Sequence, residues 1–117
     1  LEQALLRLVL DAAKAVVGQE LATRPELMKQ AVNAALAALP HGESQLCFTV
    51  NVEDLALMEE IREREHGSWR VRGDESVARG GVMVKGASSF LDFSVEKRFS
   101  QVVDQLLNQQ QQAEPES

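Results

Sequence analysis

The stretch Asp74–Phe99, DESVARGGVMVKGASSFLDFSVEKRF, decides how this chain folds. Gly80-Gly81 marks a turn, and the short apolar run Val82-Met83-Val84 follows it. Strand alternation points Val82 and Val84 one way and Met83 and Lys85 the other. Gly86-Ala87-Ser88-Ser89 is a second turn, leading into Phe90-Leu91-Asp92-Phe93, where Leu91 and Phe93 share a face opposite Asp92. Ser94 then opens an amphipathic helix with Val95, Phe99, Val102, Val103 and Leu106 on one stripe. The stretch is a hairpin delivered onto a helix, and no group in it has the look of a catalyst. Its glycines are expected to serve backbone conformations with positive φ. Asp92 has two structural readings: a cap for the helix that starts two residues later, or a buried carboxylate accepting backbone donors.

Outward from this stretch towards the N-terminus, Trp69-Arg70-Val71-Arg72 alternates as a strand with an apolar and a basic face. Trp69 is the only tryptophan. It packs in the core or, with Arg70 and Arg72, anchors a partner, since Trp and Arg are enriched at binding hot spots. His66-Gly67-Ser68 ends a helix that Asn51-Val52-Glu53-Asp54 begins, with Asn51 as N-cap and acids in the first turn. Leu55, Met58 and Ile61 form its apolar stripe, with Leu57 at the edge. Glu59 to Glu65 cover a solvated face, where Glu60 and Arg64 make a favourable pair. Leu46–Val50 is a strand with Leu46, Phe48 and Val50 on one side and Cys47 and Thr49 on the other. Cys47 is read as a small core filler.

Thr23-Arg24-Pro25-Glu26 reads as a capping box, with Pro25 in the first turn of a helix that runs to about Leu39. Met28, Ala31, Val32, Ala35, Leu36 and Leu39 are its core candidates. Leu1–Val17 is a broad-striped helix carrying Leu5, Val9, Ala12 and Val16, with Gly18 as its C-cap or a close-packing point. It is an ordinary packed helix or a dimer seam. The order α-α-β-α-β-β-β-α implies an α+β fold: a small mixed sheet of about four strands with helices packed on it, including a β-α-β crossover. The last two or three strands form an antiparallel hairpin or meander. Residues 1–107 make the domain, and 108–117 are expected to be a polar disordered tail.

Bulk properties narrow the function. The chain has 117 residues, enough for one modest core. Its net charge of −6 argues against a nucleic-acid binder and favours a basic partner segment. A single cysteine excludes a disulfide framework and fits a reducing compartment. No apolar run reaches the roughly 18 to 20 residues of a membrane span. The chain begins at Leu1, inside a helical pattern and without a methionine, as a fragment would. His41 and His66 lie in loops with no second ligand at metal spacing. Gly80-Gly81 to Gly86 lacks a P-loop ending, and Ser88 and Ser89 have no histidine neighbour. No cofactor is expected, and an enzyme is disfavoured.

Three segments resemble the C-terminal domain of the flagellar assembly protein FliH. Its wider group includes the YscL/HrpE stator-like proteins of type III secretion and, more distantly, the E-type peripheral-stalk component of vacuolar-type ATPases. The segments are Val16-Val17-Gly18-Gln19-Glu20-Leu21 with Arg24-Pro25-Glu26-Leu27; Val50-Asn51-Val52-Glu53-Asp54-Leu55; and Asp74, Gly80-Gly81, Leu91-Asp92-Phe93-Ser94 leading to Arg98. The family often has proline where this chain has Val52. The resemblance implies a non-catalytic, cytoplasmic, stator-like partner and negative regulator of the flagellar export ATPase, bound to the ATPase's N-terminal segment. It also implies a homodimer formed through an elongated N-terminal region that contacts the flagellar switch. An injectisome stator or the peripheral-stalk component of a vacuolar-type ATPase is the nearby alternative. Two readings from other classes are a regulatory domain holding a small ligand between sheet and helices, and a hydrolase pairing Ser88, Ser89 or Cys47 with His41 or His66.

Overall fold

The computed structural model describes residues 2–113. Helices α1 (Glu2–Thr23) and α2 (Pro25–Ala38) lead into strand β1 (Cys47–Val50). A 3-10 turn (Val52–Asp54) and helix α3 (Leu55–Arg64) connect it to β2 (Arg70–Gly73). Strands β3 (Val82–Lys85) and β4 (Phe90–Phe93) precede helix α4 (Val95–Ala113). The sheet is mixed, in the order β2-β1-β3-β4. β1 and β2 are parallel, joined through α3, while β1–β3 and β3–β4 are antiparallel. The fold is α+β as expected. The last two strands form the expected antiparallel hairpin, β3–β4; β2 does not extend it into a meander, because β1 lies between β2 and β3.

Alternation along each strand separates the two faces of the sheet. Phe48 and Val50 of β1 stand opposite Val84 and Val82 of β3, which stand opposite Leu91 and Phe93 of β4. These residues meet Met28, Ala31, Val32 and Ala35 of α2 and Met58 and Ile61 of α3 in one core. Trp69, immediately before β2, is 8% exposed and packs against Phe48 with ring centroids 5.1 Å apart. Tilted aromatic pairs at this separation are favourable beyond the area they bury.

The helix ends differ from the sequence reading in three places. α1 does not stop at Gly18; it runs to Thr23, and Gly18 faces Val95 of α4, where an added Cβ would make an ordinary contact at 3.6 Å. Thr23 does not cap α2: its hydroxyl donates back to the Gln19 carbonyl at 2.9 Å, closing α1. Arg24 takes the N-cap position with no side-chain cap and pairs with Glu20 and Glu26, while Pro25 starts the helix as expected. α4 also continues past Asn108 to Ala113; the tail from Glu114 lies outside the described residues.

The domain is elongated. Its radius of gyration is 16.7 Å and its extents are 54 × 30 × 23 Å, against about 13 Å for a compact chain of roughly 100 residues. α1 explains this. Residues 2–12 are exposed throughout, so the N-terminal half of the helix stands clear of the core. The broad apolar stripe is therefore not buried against this domain: Leu5 is 62% and Val16 69% exposed, and only Leu21 of α1 is buried.

Candidate functional site

One buried carboxylate organises the loop between β2 and β3. Asp54 is 2% exposed. Its Oδ1 accepts from Arg79 Nη2 at 2.9 Å and Nε at 3.2 Å, and its Oδ2 accepts from the Gly80 amide at 2.8 Å. The hydrogen bonds and charge of Asp54 raise the Arg79 guanidinium above its ordinary pKa. Asn51 adds a second tie, donating to the Val77 carbonyl at 2.8 Å while its Oδ1 caps the 3-10 turn at the Glu53 amide. Gly80, at φ +87°, then lies directly against the last turns of α1, where its Cα faces Leu21. The loop thus fastens the 3-10 turn to α1. In the sequence Asp54 reads only as a first-turn acid, and Arg79 carries no reading of its own. A signal was present: Asp54 precedes Met58 by four residues and Ile61 by seven, placing a carboxylate on the core stripe of α3, where it needs partners.

A second carboxylate holds the β3–β4 turn. Glu43 Oε1 accepts from the Ser88 amide at 2.8 Å, and Oε2 accepts from the Ser88 and Ser89 hydroxyls at 2.8 and 2.9 Å. Both serines are thus hydrogen-bonded to a carboxylate, not to a histidine. Gly86 has no positive φ, but an added Cβ there would displace the Glu43 carboxylate. Of the three glycines expected to have positive φ, only Gly80 does.

The Ser88 amide, then its hydroxyl, hold the Glu43 carboxyl below its usual range, against partial desolvation. A depressed folded-state value gives stabilisation that is present above the unfolded pKa and lost as pH falls through the folded one. The Gly86–Ser89 turn should therefore loosen only in acid below the ordinary glutamate range. Amide NMR shifts of Ser88 should titrate there, and Glu43→Gln should abolish that titration.

Asp92 takes the capping role. Its Oδ1 accepts from the Ser94 amide at 2.8 Å, and the Ser94 hydroxyl accepts from the Lys97 amide at 3.2 Å. Arg98 donates its backbone amide to Ser94, while burial lowers its guanidinium pKa and leaves Nη1 without a hydrogen-bond partner.

The opposite face of the sheet is open. Arg70, Cys47, Lys85 and Phe90 form one row across it, and Arg72, Thr49, Met83 and Asp92 the next. A groove of about 460 Å³ runs over the first row and between Arg70, Arg72 and Lys85. Cys47 is half-buried on this outer face, so it is not a core filler. The same alternation that sends Phe48 inward sends Cys47 outward. Of the three residues proposed for partner contact, Arg70 and Arg72 are exposed on this face, while Trp69 is in the core.

Among the described residues no group of three or more His, Cys, Asp and Glu side chains could hold a metal ion, and no helix is long and apolar enough to cross a membrane. Most of the exposed large apolar residues lie on two helices, among them Leu5, Leu6, Leu8 and Val9 on α1 and Leu106 and Leu107 on α4; Val52 and Phe90 lie elsewhere.

The sequence model of the flagellar assembly protein FliH family matches residues 1–102. The chain belongs to the FliH family. It is 30% identical over 101 residues to the flagellar assembly protein FliH of Salmonella typhimurium, covering 84% of this chain and 43% of that protein. The chain thus spans less than half the length of that FliH relative. The residues that carried the family resemblance now have structural roles. Gly80 is the contact with α1, and Gly81 follows it into β3. Asp92 and Ser94 form the start of α4, and Arg98 is the half-buried cation in its first turns. Val52, where the family often has proline, sits at the start of the 3-10 turn, which Asn51 caps without it.

Proposed function

We propose that this chain is the ATPase-binding domain of a stator-like, non-catalytic partner of the flagellar export ATPase. It restrains hydrolysis during flagellum assembly. Family membership supports a flagellar assembly role. The observation that carries the finer reading is the exposed apolar surface of α1 and α4 on an elongated domain. Contiguous exposed apolar surface marks protein–protein contact. A helix standing clear of its own core suits continuation into a dimer, with the preceding region reaching the flagellar switch. The protein would act in the cytoplasm, at the export apparatus.

Mixing the purified chain with the cognate export ATPase tests this reading. Co-elution is expected with the intact ATPase and not with a form lacking its N-terminal segment. A well-folded chain that elutes apart from the intact ATPase would overturn it.

A further inference from the structure

Among the described residues, the outer face of the sheet brings three exposed cations, Arg70, Arg72 and Lys85, around one groove of an acidic chain. We infer that this face docks an extended, acidic segment of a partner protein. This inference does not rest on the ATPase reading, because any partner with such a segment would satisfy it.

Three observations carry the inference. First, Arg70, Arg72 and Lys85 are exposed around a single groove, and among the described residues none of them forms an ion pair. Asp74 feels the Arg72 charge without an ion pair, and both it and Asp92 hold hydrogen bonds to other groups. Asp74 accepts from the Ser76 amide at 2.8 Å and its hydroxyl at 2.7 Å, and Asp92 accepts from Ser94. Second, the spacing has a specific complement. Arg70 and Arg72 are two residues apart on one strand, about 6.5 to 7 Å, and an extended segment places alternate side chains at the same interval. Lys85 stands two strands away, opposite Cys47, about 9.5 Å across the sheet. Third, β2 is an edge of the sheet, where an extended segment can lie alongside.

Charge distribution selects a short acidic peptide over a continuous polyanion. The chain carries −6; without these three cations the rest carries −9. Nucleic acid or an anionic membrane would extend beyond the patch onto repelling surface, whereas a short segment with alternating carboxylates would not.

The test uses a fluorescein-labelled peptide of alternating glutamate and threonine, titrated into the folded chain and followed by anisotropy. A glutamine–threonine peptide serves as control. Binding of the glutamate peptide alone is expected, falling about tenfold or more in the Arg70→Ala/Arg72→Ala variant, which is about 1.4 kcal/mol or more. The bound peptide should also slow alkylation of Cys47 by N-ethylmaleimide, because that thiol lies within the groove. The inference is overturned by equal binding of both peptides, by binding that ignores the two arginines, or by no binding. It is equally overturned if a single-stranded DNA oligomer or anionic vesicles bind this face more tightly than the peptide. Self-association abolished by the same substitutions would assign the face to a second copy and overturn it too.

Discussion

Replacing Gly80 by alanine should cost about 4 kcal/mol. Two independent penalties add. At φ +87° a residue with a Cβ is strained, by about 1 to 2 kcal/mol. The new Cβ would also lie 2.5 Å from Leu21 Cβ and 2.8 Å from the Leu21 carbonyl carbon. The second atom belongs to helix backbone and cannot swing aside, so the loop must lift from α1. Lifting it pulls the Gly80 amide away from Asp54. Asparagine separates the two penalties, since it tolerates positive φ but still carries a Cβ. Gly80→Asn should be nearly as damaging as Gly80→Ala. Gly81→Ala, without positive φ and with its nearest contact at 3.1 Å, should cost far less. Urea unfolding of the three variants decides this, and an asparagine variant close to wild type would show that packing on α1 is unimportant.

Removing the Asp54 carboxylate is the second large effect. Asp54→Ala should destabilise by about 3 kcal/mol and lower Tm by about 10 °C or more. The carboxylate holds three donors, and in the alanine variant the Gly80 amide is left unpaired, worth about 1 to 3 kcal/mol. Arg79 is partly exposed and can recover water, which limits its share. The reverse substitution is informative: Arg79→Ala leaves a buried charge with one amide as partner, so it should be comparably destabilising although Arg79 lies half in solvent. Thermal unfolding of both single variants and the double variant measures the coupling. A double variant equal to the sum of the singles would mean that the two side chains do not act together.

Much of this fold is legible from periodicity. The alternation in Leu46–Val50 and Val82–Phe93 fixes which residues face the core, and the stripe Met58, Ile61 orients α3. Single polar or small residues misled because their partners are remote in sequence. Gly18 reads as a helix stop or a packing point, and only the structure shows it inside α1 beside Val95, from the far end of the chain. Thr23 looked like a cap for α2, yet its hydroxyl closes the helix before it. The order of the sheet is invisible locally, because a parallel β1–β2 pair and an antiparallel β1–β3 pair both follow from the same short strands. The groove on the outer face is half legible in the sequence. Arg70 and Arg72 lay on a recognisable basic strand face, but Lys85 and Cys47 join them only through β1 pairing with both neighbours. Trp69 had two readings, and its contact with Phe48 selects the core.

The proposed role is tested most directly by the steady-state ATP hydrolysis of the cognate export ATPase, titrated with the protein containing this domain. Hydrolysis should fall and then level off once the domain saturates its site. An ATPase lacking its N-terminal segment should be unaffected. An unchanged rate with the intact ATPase, at concentrations where the domain is folded and in excess, would contradict the stator-like reading.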